Sequence, residues 1–191
     1  MARVHLLEKD EAPPEVKEVF QKIEDNGAKI TNLYKVVANS PKVLLNFIRL
    51  GNSIVGRMGL PPKWRELVIL RVARLTNSEY EWAGHTSLAL EKGVNREQIN
   101  AIVDWENSSE FNDEERAILQ YTDEVTRNIS VTDQTFSTLK KFFDEQTIVE
   151  LTLTASYYGM LARILVPLQV ERGGVTMGSV NELLGRRNQP K

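Results

Sequence analysis

No cysteine occurs in the 191 residues, and only two histidines do. Without cysteine, disulfides, thiolate nucleophiles, cysteine-ligated zinc and iron–sulfur clusters are excluded together. Two histidines make a histidine-rich metal centre improbable, so no metal and no cofactor is expected. Basic charge is not in excess either, since 24 Lys and Arg stand against 26 Asp and Glu. Gripping nucleic acid by phosphate neutralisation needs a positive field, so no nucleic-acid partner is expected. Met1 to Asp10 is charged and has no apolar centre of the kind that marks a signal peptide, which points to a cytoplasmic location. No segment sustains period-2 alternation between hairpin turns, so strands are not required. Any chemistry has to run on carboxylates, imidazole or hydroxyls.

What is present is ordinary globular composition, with 41% hydrophobic and 26% charged residues. No Gly/Ser linker divides the chain, and 1–191 reads as one all-α domain of about eight helices with a tail at 171–191. Pro13-Pro14 open an amphipathic run through Val16, Val19, Phe20 and Ile23 that Asn26-Gly27 stop. Ser40-Pro41 begin a helix reaching about Arg57, and Pro61-Pro62 begin one reaching about Leu75. Asn77 or Ser78 caps a fourth that ends at Gly93. Asn95 to Gln98 has capping-box spacing ahead of a short helix toward Trp105. Further helices start at Asn112 and at Thr132-Asp133, the latter reaching Phe143. A possible last turn lies at Asn181 to Leu184. The stretch Thr147 to Val170 is long enough to span a bilayer, but Glu150 and Arg163 interrupt it, and central charges are expensive in hydrocarbon. It reads instead as the centre of a soluble bundle or as a subunit interface, with no membrane partner.

Two helices carry candidate chemistry. Glu66 shares a helical face with Ile69, Leu70 and Ala73, so its carboxylate points inward and needs a partner or a raised pKa. A buried Arg partner with a purely structural role is the competing reading. Ser78, Glu81 and His85 follow i, i+3, i+7 spacing and stack along one side of the next helix. Glu81 and His85 are one turn apart, as a tuned acid–base pair or as an ordinary surface pair. Spacing alone favours neither.

The segments Glu66-Leu67-Val68-Ile69-Leu70, Glu79-Tyr80-Glu81-Trp82-Ala83-Gly84-His85 and Ala89-Leu90-Glu91-Lys92-Gly93-Val94 resemble the carboxymuconolactone decarboxylase family, whose superfamily includes the AhpD-like alkylhydroperoxidases. The resemblance extends over about Val16 to Leu168 and implies an AhpD-like helical bundle assembled as a homotrimer or homohexamer. The peroxidase branch carries a Cys-x-x-Cys pair followed by a histidine. Counted back from His85, those cysteine positions hold Ser78 and Glu81, so thiol peroxidase activity is the wrong inference. The remaining branch implies a cofactor-free decarboxylase-like lyase or isomerase of aromatic-compound breakdown, acting on a small carboxylated or enolisable molecule. His85, Glu81 and Glu66 are then the catalytic candidates, and Ser78, Trp82 and Arg163 the substrate-binding ones. Arg71 and Arg74 are further cations for an anionic substrate, and a salt bridge from Arg163 to Glu66 or Glu150 is the alternative reading for that residue. A helical scaffold that has lost the chemistry is the competing function.

Overall fold

The computed structural model describes residues 1–173. Among these the chain forms nine α-helices, one 3₁₀ turn and no strand. They are α1 Pro14–Asp25, α2 Asn32–Val37, α3 Pro41–Gly56, α4 Pro62–Leu75, α5 Glu79–Glu91, α6 Arg96–Ala101, α7 Asp113–Asn128, α8 Asp133–Leu139 and α9 Glu145–Leu165, with the 3₁₀ turn at Ile102–Asn107 between α6 and α7. The all-α reading therefore holds. The sequence pattern passed over α2, which at six residues is too short to show a period, although Thr31 caps it by accepting from the Tyr34 amide at 3.3 Å. It also carried α8 too far, because the chain turns between Leu139 and Asp144. The turn expected at Asn181 to Leu184 lies outside the described residues.

The boundaries have local causes. Asn95 and Asn112 each close a reciprocal capping box, with Gln98 and Glu115 respectively. The link between α4 and α5 is the tightest. Asn77 takes a left-handed φ of 53°, the Ser78 amide donates to the Ala73 carbonyl at 2.8 Å, and α4 is closed there. Asparagine tolerates this conformation better than most residues with a side chain. Ser78 is then the residue ahead of α5, but its hydroxyl makes no capping hydrogen bond.

Two hydrophobic clusters flank α4. Val68, Ile69 and Val72 face the larger one, with Phe20, Leu44, Ile118, Leu151 and Leu161. Leu67, Leu70 and Ala73 face the smaller one, with Trp82, Ile99, Ile102 and Leu119. Every residue of α4 from Arg65 to Ala73 is buried. The central helix is therefore α4, packed against α5, α7 and α9. The sequence points to α9 for that place, yet α9 leaves Val149 and Leu153 about half exposed. Among the described residues, no helix is long and apolar enough to cross a membrane.

Candidate active site

Because α4 is buried all round, its polar side chains must find partners inside the protein. Arg71 does so completely: its guanidinium forks onto Asp123, with Nη2 donating to Oδ2 at 2.6 Å, and Nη1 donates to the Ile102 and Val103 carbonyls at 2.7 and 3.0 Å. Four of its five N–H groups are thus committed, and Arg71 ties α4 to α7 as a structural ion pair rather than reaching toward an anionic substrate.

Glu66 is fully buried, and its partner comes from α5. Its Oε2 accepts from His85 Nδ1–H at 2.8 Å. That bond leaves Nε2 of the neutral ring as an acceptor, and the Tyr158 hydroxyl on α9 donates to it at 3.2 Å. The two rings meet edge to face with centroids 5.1 Å apart. Glu81 Oε2 lies 3.5 Å from the same Nε2. The imidazole is therefore held by Glu66 and Tyr158 and approached by Glu81, so its principal carboxylate partner is across the helix pair rather than one turn away. Arg65 Nε stands 3.6 Å from Glu66 Oε1, an ion pair without a hydrogen bond.

Burial sets the proton affinities here. Desolvation pushes the Glu81 carboxyl above its ordinary range, opposed by the neighbouring His85 and Arg172 and reinforced by Glu66. Desolvation also raises Tyr158 well above the phenol range, with Glu81 and Glu66 adding to it. Tyr34, Tyr80 and Tyr157 are raised by burial too, and all three feel the Glu81 charge. Four of the five tyrosines thus surround one carboxyl group, with their hydroxyls kept protonated.

The other expected site residues are placed differently. Ser78 is 2% exposed, its Oγ has no hydrogen-bond partner, and it lines a cavity of about 520 Å³ between the start of α5 and the segment after α9. Trp82 points the other way, into the smaller core, with the Arg74 guanidinium 3.6 Å from its ring centroid. Arg163 lies apart: its Nη1 donates to the Gly159 carbonyl of its own helix at 2.9 Å, and it lines a separate cavity with Tyr121, Thr126 and Thr152. It meets neither Glu66 nor Glu150, whose carboxylates are engaged by His85 and by the Gly59 amide. The cation at the site is instead Arg172, which lines the 520 Å³ cavity and whose charge acts on Glu81. Its guanidinium occupies the space above Gly84, where an added Cβ would lie 1.7 Å from Nη1. Sequence reading missed Tyr158 and Arg172, although a glycine directly before His85 was a sign of close approach. Among the described residues, no group of three or more His, Cys, Asp or Glu is placed to hold a metal ion.

Residues 41–124 match the carboxymuconolactone decarboxylase family. That segment is somewhat under half of the chain. The matched segment contains α4 and α5, and hence the Glu66–His85 pair, while Tyr158 and Arg172 lie beyond it. Among curated relatives, the uncharacterized protein YnjA of Escherichia coli K12 is 28% identical over 120 residues, covering 62% of this chain and 66% of its own length. The chain thus spans just under two thirds of that relative. Among solved structures, an uncharacterized peroxidase-related protein with an alkylhydroperoxidase AhpD core from Ralstonia eutropha JMP134 superposes with a TM-score of 0.77 at 14% identity, covering 100% of this chain and 98% of that one. The debrominase Bmp8, as a cysteine-to-alanine variant in complex with 2,3,4-tribromopyrrole, gives 0.76 at 18% identity, covering 96% of this chain and all of that one. At these identities what the chain shares with them is the fold, the AhpD-like helical bundle.

Proposed function

We propose that the protein is a cofactor-free lyase or isomerase that moves a proton onto or off a carbon next to a carbonyl group in a small carboxylated or enolisable molecule. The observation that carries this reading is the buried chain Glu66–His85–Tyr158 with the Glu81 carboxyl beside it. In the decarboxylating form, the C–C bond to the substrate carboxylate breaks and carbon dioxide leaves. The electron pair passes into the conjugated carbonyl to give an enolate, and one proton is returned to carbon. Glu81, whose hold on its proton is strengthened by burial, supplies a proton, and His85 takes up or returns one through Nε2. Glu66 holds Nδ1–H and so fixes the tautomer that leaves Nε2 available. Tyr158 supplies a neutral hydroxyl donor for developing oxyanion charge.

The names of the structural relatives bring two other reactions into view. Peroxide reduction by a thiol pair has no sulfur to work with here, and the cysteine replaced in the Bmp8 complex has no counterpart in a chain without cysteine. Acid–base chemistry is what these residues supply. The test is a screen of carboxylated lactones and β-keto acids for carbon dioxide release, followed by His85→Gln on the substrate found. Loss of the proton carrier is expected to lower turnover by about 10²–10⁴-fold. Unchanged turnover in His85→Gln would remove the assignment.

A further inference from the structure

Arg172 is placed as a ligand-binding cation is placed. It follows the turn that ends α9, where Gln169 takes a φ of 52° and the Val170 amide donates to the Leu165 carbonyl at 3.0 Å. The segment is then held across the molecule, because Asn32 Nδ2 donates to the Glu171 carbonyl at 2.7 Å. Its guanidinium lies over Gly84, and its Cζ is 5.6 Å from the centroid of the Tyr80 ring. Among the described residues no acceptor takes a hydrogen bond from it, and no carboxylate is within ion-pair distance. Directly across the same cavity stands the start of α5, a helix of 13 residues whose N-terminus has no side-chain cap. Its first turn brings backbone N–H groups without intrahelical acceptors. The Ser78 hydroxyl, buried and without a partner, lines that cavity as well.

We propose that this cavity is a carboxylate-binding site, in which Arg172, the Ser78 hydroxyl and the uncapped start of α5 take the anionic group of a small organic acid. All three elements offer donors and none has an acceptor among the described residues, which is the complement of a carboxylate. Two acidic residues also line the cavity. Glu171 is engaged by the terminal ammonium at 2.8 Å, and Glu79 is exposed. A volume of about 520 Å³ suits a molecule the size of a substituted five- or six-membered ring. This deepens the acid–base reading by naming the anchor for its substrate, but the binding stands without the catalysis. Arg172 links the two sites, since its guanidinium lines this cavity and its charge also acts on Glu81.

Calorimetric titration with benzoate, and with benzamide as the neutral isostere, tests the site. Benzoate is expected to bind and benzamide to bind far more weakly. Arg172→Met is expected to weaken benzoate by at least about tenfold, with Arg172→Lys between the two. Ser78→Ala is expected to weaken it by a smaller factor. His85→Gln is expected to keep benzoate binding while losing turnover, so loss of the catalytic reading alone leaves this one standing. Equal affinity in wild type and Arg172→Met, no benzoate binding by wild type, or a loss confined to Arg163→Met would each overturn the proposal. Arg172 is exposed and makes no internal hydrogen bond, so its variants are expected to keep the wild-type circular dichroism.

Discussion

At the scale of single residues, one imidazole joins three helices: His85 on α5 bonds to Glu66 on α4 at 2.8 Å and to Tyr158 on α9 at 3.2 Å. Helical projection alone puts Glu66 on an apolar face and Ser78, Glu81 and His85 on one side of the next helix. It does not show that His85 bonds to Glu66 across the helix pair at 2.8 Å while Glu81 stands off at 3.5 Å. Spacing sees neighbours along a helix, whereas that contact depends on how two helices cross. The same limit hides Tyr158, which reads in the sequence as one more apolar residue of α9. Arg163 shows the converse: an arginine in an apolar run suggests a buried anion partner, but its side chain is exposed and bonds to its own helix. Glu81 gives a sign-specific prediction. Burial raises its pKa above 4.5, so the folded state holds the proton more tightly than the unfolded one. The stability from neutral Glu81 is complete below that value and is lost as pH rises through the folded pKa. Glu81→Gln, which stays neutral, is therefore expected to gain stability relative to wild type as pH rises from about 4 to about 8, read as a widening gap in urea midpoints. A gap that narrows with rising pH would contradict the burial assigned to this group.

Among the elements, α4 and α5 set the site, and each makes a separate prediction. Helix α4 is fixed to α7 by the buried Arg71–Asp123 pair, with both side chains about 5% exposed. Asp123→Ala strands the guanidinium in the interior and is expected to cost about 3–5 kcal/mol, measured by denaturant unfolding. The sequence offered Arg71 only as a candidate for substrate binding, because its partner sits 52 residues away. Helix α5 carries a glycine in mid-helix, which lowers helix stability by about 1 kcal/mol relative to alanine. Its use is spatial: the guanidinium of Arg172 fills the room where a side chain would stand. Gly84→Ala is expected to leave the thermal midpoint equal or higher, since the obstructing atoms are the far end of a flexible arginine, while benzoate affinity falls. Calorimetry alongside thermal unfolding separates the two effects, and unchanged affinity would show that Arg172 accommodates the methyl group without leaving the cavity.

For the molecule as a whole, the helical class and most helix boundaries were legible because caps and prolines mark them locally. The interior order was not, since the number of apolar residues in α9 exceeds what its position requires. Its surplus lies outward at Val149 and Leu153, both exposed. The family resemblance implies trimers or hexamers, and this face of α9 is where a second copy is expected to sit. Sedimentation equilibrium is expected to give a multimer of the 21.7 kDa chain, and Leu153→Glu a smaller species. A monomeric wild type would remove that assignment.

The hydrogen bonds of His85 also differ in how far apart along the chain their partners lie. Glu66 is 19 residues away and Tyr158 is 73. A chain growing from its N-terminus can pair Glu66 with His85 as soon as one helical hairpin closes, long before α9 exists. The imidazole then waits in water, tautomer chosen but unshielded, until the last helix docks and brings the tyrosine and, just behind it, Arg172. The side chains around this imidazole thus come together only when α9 and the segment after it have docked.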